Sequence, residues 1–135
     1  MMDKTKTIAV NIVVIAVLAV VMFWGNTWYR QWRQFGKGEQ ALAANDLIAA
    51  IAGYESAIHM YTPGSPLVNR AAEKLWEITR RSEASGDLEG ALIACRSLRS
   101  SFYSVRGLHQ PGKEWIARCD AKIDELVSAR ALMQR

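Results

Sequence analysis

The sequence predicts an all-α protein in which a single N-terminal transmembrane helix precedes a small stack of antiparallel helices. Three observations carry this prediction. No charged side chain occurs from Thr7 to Tyr29, the later apolar residues recur at helical spacing, and one phrase of sequence returns after 41 residues. No segment alternates apolar and polar residues over any length, so we expect no sheet.

These patterns divide the chain into four parts. We assign residues 1–6 to a short N-terminal tail and residues 7–29 to the transmembrane helix with its aromatic interface. Residues 30–44 form a juxtamembrane helix that leads into the first repeat, and residues 45–133 form a helical domain that ends in a capping helix.

The apolar run from Thr7 to Trp24 has the length of a membrane span. Its 18 residues form a helix of about 27 Å, close to the thickness of a bilayer's hydrocarbon core. The alternative is a cleaved signal peptide, which would have a shorter apolar core and small residues at the cleavage point. The run ends instead in Met22-Phe23-Trp24, so we expect an anchor that stays in place.

Aromatic residues mark the end of the span at intervals of four and three. They repeat on one helix face, while basic residues repeat on another. The aromatic residues are Trp24, Trp28, Trp32 and Phe35, and the basic ones include Arg30 and Arg33. An aromatic belt at the headgroups needs no protein partner. The second interpretation is a stripe that grips another membrane protein, and the helix is expected to continue out of the bilayer in either case.

Basic residues flank the span almost equally on its two sides, so the positive-inside rule does not decide the orientation. Lys4 and Lys6 precede the span, and Arg30, Arg33 and Lys37 follow it. A very short basic tail before the first span is the usual form of an anchor whose N-terminus is cytoplasmic. We therefore expect an inner (plasma) membrane protein with its helical domain on the non-cytoplasmic side.

Helix-start and helix-stop signals divide the rest of the chain. Asn45-Asp46 and Asp87 precede two helices, and Pro66 occupies the favoured first position of another. Gly86 is a natural helix stop, and the loop "RGLHQPGK" separates the fourth segment from the last helix.

The repeated phrase explains this organisation. Asp46-Leu47 and Asp87-Leu88 stand 41 residues apart, as do Ala50 and Ala91. One period contains two helices and two turns. A helix pair cannot bury its apolar face alone, so a second copy stacks on the first and a last helix covers the open end.

The pattern resembles the tetratricopeptide repeat (TPR) family over residues 34–102. The first copy carries the family's small, turn, alanine and aromatic positions, and these are Gly38, Asn45, Ala50, Tyr54 and Ala57. The second copy matches at Leu75, Ile78, Gly86 and Ala91, but Cys95 and Leu98 depart from the pattern. The period also exceeds the usual length of about 34 residues. The resemblance implies a stack of helical hairpins with a shallow, concave, peptide-binding surface.

The composition and the motifs give no indication of a nucleic-acid-binding, catalytic or metal-binding site. The net charge of +4 is mild, whereas nucleic-acid-binding proteins concentrate basic charge far more strongly, so we expect no nucleic acid partner. The sequence shows no metal-ligand spacing, no Gly-rich phosphate loop and no paired carboxylates at site spacing. We expect no enzymatic activity and no cofactor, and we assign no catalytic or metal-binding residue.

Cys95 and Cys119 both fall on predicted apolar faces. Free cysteines are commonly small buried hydrophobes, which is the simpler interpretation. The alternative is a disulfide that ties the last helix to the fourth, which would require an oxidising compartment.

A basic and aromatic segment is the candidate protein-binding surface. Arginine and tyrosine are typical anchors of protein contacts. The candidate residues are Arg96, Arg99, Tyr103, Arg106 and His109. A solvated basic face is the competing interpretation.

These features together predict a membrane-anchored, TPR-like scaffold or adaptor that makes and breaks no bond. It would bind other proteins as an accessory subunit of an integral membrane complex of the transport, secretion or energy-transducing type. The alternative is a self-assembling structural membrane subunit that forms homo-oligomers.

Overall fold

The computed structural model describes residues 2–135 and contains five helices over that range. The described chain has no strand, so the all-α prediction is confirmed. The helices are α1 (Met2–Ala43), α2 (Leu47–His59), α3 (Pro66–Ala84), α4 (Leu88–Ser104) and α5 (Lys113–Met133).

The N-terminal helix α1 is uninterrupted over 42 residues, a length of about 63 Å. It begins at Met2, within the segment assigned to the tail, and joins residues 7–29 to residues 30–44 without a break. The helix thus continues without interruption past residue 29 and into the helical domain. Residues 8–24 are all exposed, and α1 is long and apolar enough to cross a membrane by length and composition.

The two copies of the repeated phrase begin their helices with the same cap. Asp46 and Asp87 are the N-cap residues of α2 and α4, and each side chain accepts a hydrogen bond from the backbone N–H three residues later. Asn45 and Gly86 precede these caps with left-handed φ angles of 58° and 82°. A left-handed residue followed by an aspartate cap is thus what the repetition encodes.

Helix α3 begins as its sequence predicts. Ser65 is the N-cap, its hydroxyl accepts a hydrogen bond from the Leu67 N–H, and Pro66 opens the first turn. A missing N–H costs nothing at that position, because the first turn of a helix leaves its donors without intrahelical partners.

The helices pack as two hairpins, α1–α2 and α3–α4, with α5 against α4. Helix α2 contacts both α3 and α4 and so joins the hairpins. The core lies between them, and its largest fully buried apolar side chains include Tyr54, Ile58, Leu75, Ile78 and Leu98. A smaller cluster of Ala91, Leu92 and Leu126 holds the far half of α5 against α4.

Helices α1 and α2 approach closely because glycines face each other. A Cβ on Gly53 would lie 2.6 Å from the Gly38 backbone nitrogen, and a Cβ on Gly38 would lie 2.9 Å from the Tyr54 ring. Beside this contact the Tyr54 hydroxyl donates a 2.5 Å hydrogen bond to Glu39. Burial, with the Glu39 hydrogen bond second, raises the pKa of Tyr54, so the phenol remains a donor.

Replacing Gly53 by alanine should disrupt this contact. The new methyl group would meet backbone rather than a flexible side chain, so we expect the free energy of unfolding to fall by about 1–3 kcal/mol. Gly36→Ala is the matched control, since its Cβ would have nothing within 4 Å and alanine favours a helix by up to about 1 kcal/mol. Thermal denaturation of the full chain in detergent, followed by circular dichroism, measures both. Equal melting temperatures would contradict the close approach.

Candidate interaction surface

The apolar half of α1 leaves the helical domain at one end, which we call the proximal end. The distal end is where α1 stops at Ala43, about 29 Å along the helix from Trp24. A small groove at the proximal end joins α1 to the α2–α3 loop. Its lining residues are Phe23, Trp24, Thr27, Tyr61, Thr62 and Pro63.

The three tryptophans of the predicted stripe are exposed, but Phe35 is not. Trp24, Trp28 and Trp32 are 48%, 50% and 62% exposed, whereas Phe35 is only 6% exposed. The Phe35 ring meets the Tyr54 ring edge-on, with centroids 5.4 Å apart, and the Arg70 guanidinium lies over the Phe35 ring. The structure thus places Phe35 in the core, away from any membrane interface or partner stripe.

Position along the helix, more than direction around it, separates Phe35 from the tryptophans. Steps of four, four and three residues put Phe35 between the directions of Trp24 and Trp28, with Trp32 turned about 60° away from it. Trp24 and Trp28 come before Gln31, the point from which the domain buries side chains of α1. The sequence spacing alone groups the four residues, and only the docked domain separates them.

Arg30 and Arg33 are exposed on α1 beside the tryptophans. Neither forms an ion pair with any residue that the structure describes. Their charges are therefore available to an external anion or to a carboxylate of another protein.

The second candidate surface divides into two parts. On α4, Arg99 is salt-bridged to Asp120 of α5 and lies 4.8 Å from the centre of the Tyr103 ring. A shallow groove between α4 and α5 is lined by Arg96 as well as by Arg99 and Asp120. Arg106 and His109 belong instead to the α4–α5 loop and are exposed. The structure therefore groups Arg96, Arg99 and Tyr103 on α4 and places Arg106 and His109 in the loop that follows, where the Arg106 N–H donates to the Tyr103 carbonyl at 3.4 Å.

Cys95 and Cys119 are both fully buried and free, as expected for small core residues. They nevertheless lie side by side, since the Cys95 thiol donates to the Cys119 carbonyl at 3.7 Å. The hydrogen bond with the Cys95 thiol, followed by burial, raises the pKa of Cys119. The two side chains therefore lie together between α4 and α5, where the alternative of a disulfide would tie the two helices.

Sequence reasoning missed Gln31, whose side chain connects three helices. Its buried side chain donates to the Ala57 carbonyl at 3.0 Å and accepts from the Ser65 hydroxyl at 2.6 Å. Ala57 lies in the last turn of α2, whose carbonyls lack intrahelical partners, and Ser65 caps α3. One carboxamide therefore links α1 to two further helices. The available signal was a polar residue one turn before Phe35 on the same helix face.

A second cluster that sequence reasoning missed lies on the outer faces of α3 and α5. The Arg118 guanidinium lies 4.7 Å from the centre of the Trp115 ring and 5.5 Å from that of Trp76. The Trp115 indole N–H donates to Asn69 at 3.1 Å. Trp76 is partly buried and covers the margin of the core.

No group of three or more histidine, cysteine, aspartate or glutamate side chains could hold a metal ion within the described residues. The chain matches no protein-family model, and no curated protein or solved structure is significantly similar to it.

Replacing Gln31 by leucine should destabilise the packing of α1 against α2 and α3 at the proximal end. Leucine fills a similar volume but leaves the Ala57 carbonyl and the Ser65 hydroxyl without their buried partner, at about 1–3 kcal/mol for each unsatisfied group. Gln40→Leu is the control, because Gln40 is exposed on the same helix. Chemical denaturation should show a lower midpoint for Gln31→Leu only. Equal denaturation midpoints for the two variants would show that the Gln31 carboxamide contributes nothing to the stability of the domain.

Proposed function

We propose that this protein is a membrane-anchored helical adaptor that binds other proteins as an accessory subunit of a membrane complex. One observation carries the proposal. Helix α1 is a single rod whose apolar half is uncovered and whose polar half is the first helix of the domain. Lipid would bury the apolar half without leaving a backbone group unpaired, since a helix satisfies its own hydrogen bonds.

The hairpin arrangement supports a TPR-like interpretation of the domain. Helices α1–α2 and α3–α4 form two antiparallel pairs, α2 joins them, and α5 packs on the last helix. The two aspartate caps recur at equivalent points of the two pairs. A two-repeat stack of this kind would offer a partner a small, rigid surface, with Arg118 between Trp76 and Trp115 on one side.

The composition of the exposed surfaces supports protein binding. Tryptophan, tyrosine and arginine are the residues that most often dominate binding energy at interfaces. Trp28 and Trp32 project from α1 beside the unpaired Arg30 and Arg33. A partner that itself crosses the membrane could contact this surface at the depth where the span ends. Transport, secretion and energy-transducing complexes are the classes of host we propose.

We place the span in the inner (plasma) membrane with the domain on the non-cytoplasmic side. The support is the short basic tail before the span, which includes Lys4 and Lys6. Labelling of an Ala44→Cys variant by a membrane-impermeant maleimide in intact cells checks this orientation. Labelling only after lysis would put the domain in the cytoplasm.

The adaptor proposal is tested by removing two indole rings from α1. Trp28→Ala combined with Trp32→Ala should release the partner from the complex during copurification in mild detergent. The domain should still melt normally, since both rings are exposed. Tyr29→Ala is the matched control, because it removes an exposed aromatic ring from a different face of the same turn.

Two results would contradict the adaptor proposal. Equal retention of the partner by the double variant and the control would indicate that the aromatic residues are only a membrane belt. Crosslinks in native membranes that join only copies of this chain would favour the homo-oligomeric structural subunit instead.

A further inference from the structure

We propose that the α4–α5 loop is a second membrane contact, which seats Leu108 among the headgroups of a bilayer that contains anionic lipids. This inference rests on the proposed function, in which α1 crosses that bilayer. Four observations support it: the exposure of Leu108, the position of the loop, the rigidity of its base and the charge around it.

Leu108 is the tip of the loop and is completely exposed, with a relative accessibility of 109%. The Gly107 N–H donates to the His109 carbonyl at 3.1 Å, and this tight turn pushes the intervening Leu108 outward. A single exposed leucine is ordinary on a protein surface. Its location therefore decides the argument.

The loop lies at the proximal end, where the apolar half of α1 emerges. Phe102, Pro111 and Gly112 line one groove with residues 61, 62, 64 and 65 of the α2–α3 loop. The α2–α3 loop in turn borders Phe23 and Trp24 of α1. Both loops thus belong to the end of the domain that would face the membrane surface.

The base of the loop is fixed to α4. The Gln110 carboxamide donates to the Phe102 carbonyl at 2.7 Å and to the Pro111 carbonyl at 2.8 Å. Gly112 packs so closely that a Cβ there would lie 2.3 Å from the Phe102 ring. A fixed base presents Leu108 in one position, so little conformational freedom would be lost on insertion.

The charge of the proximal end favours an anionic surface. Arg106 and Lys113 flank Leu108, are exposed and form no ion pair with the described residues. They share this end of the domain with Arg30 and Arg33, and with the exposed carboxylate of Glu114 beside Lys113, which these four basic residues outnumber. The carboxylates near the α3–α4 turn, Glu83, Asp87 and Glu89, lie at the opposite end. Basic side chains beside an inserted apolar residue are what recruits a protein segment to anionic headgroups.

The test places an environment-sensitive fluorophore at the loop tip. The full chain with Leu108→Cys is labelled with nitrobenzoxadiazole and reconstituted into vesicles of phosphatidylcholine and phosphatidylglycerol. Both native cysteines are buried and should not react in the folded protein. The matched control is Ala44→Cys, an exposed residue at the distal end. We expect a blue-shifted emission and quenching by nitroxide lipids for the label at 108, and neither for the label at 44.

Further arms of the same experiment test whether anionic charge is needed and whether lipid or a protein partner shields the label. The blue shift should diminish in pure phosphatidylcholine, in high salt, and when Arg106→Gln and Lys113→Gln are added. Identical spectra at 108 and 44 in vesicle-bound protein would overturn the loop contact while leaving the anchor intact. A label at 108 that is aqueous in vesicles but shielded in native membranes would assign the loop to a protein partner and overturn the lipid contact.

Vesicle flotation separates the two proposals. Protein that does not float with the vesicles would contradict the anchor, and with it the loop contact. Protein that floats while its label at 108 stays aqueous would contradict the loop contact only.

Discussion

The buried carboxamide of Gln31 is the interaction on which the relation between the two halves of this protein depends. It lies eight residues beyond Phe23 on α1 and binds the end of α2 and the cap of α3 at once. Because both polar atoms of its buried side chain have a hydrogen-bond partner, the domain can dock on α1 in one register at little cost. The glycine contact between Gly38 and Gly53 then fixes the distance between α1 and α2.

A shared helix has a mechanical consequence that a linker would not have. A flexible linker would let the domain sample many orientations above the membrane. Here the rod continues from the apolar segment into the core, so a tilt or rotation of one half is transmitted to the other. The exposed tryptophans of α1 and the basic proximal loop would then be held at defined depths. An adaptor built this way would position its partner as well as hold it.

Much of the fold could be predicted from the sequence because helix starts and stops depend on residues that are close together in the chain. The caps at Asp46 and Asp87, the proline at position 66 and the left-handed Gly86 each act within one turn of chain, and each is where it was expected. Phe35 and Gln31 could not be placed in this way. Their burial depends on which stretch of α1 the distant helices cover, and the period of the sequence does not locate that stretch on a continuous helix.

The central claim is that α1 is rigid from the apolar segment to the end of its polar half. Spin labels on Val17→Cys and Ala43→Cys, measured by pulsed dipolar spectroscopy in lipid nanodiscs, test it most directly. A continuous helix over these 26 residue steps predicts a narrow distribution of distances between the two labels, centred at about 39 Å. A broad distribution, or a clearly shorter distance, would reveal a joint near Gly25 or Gly36 and contradict the claim.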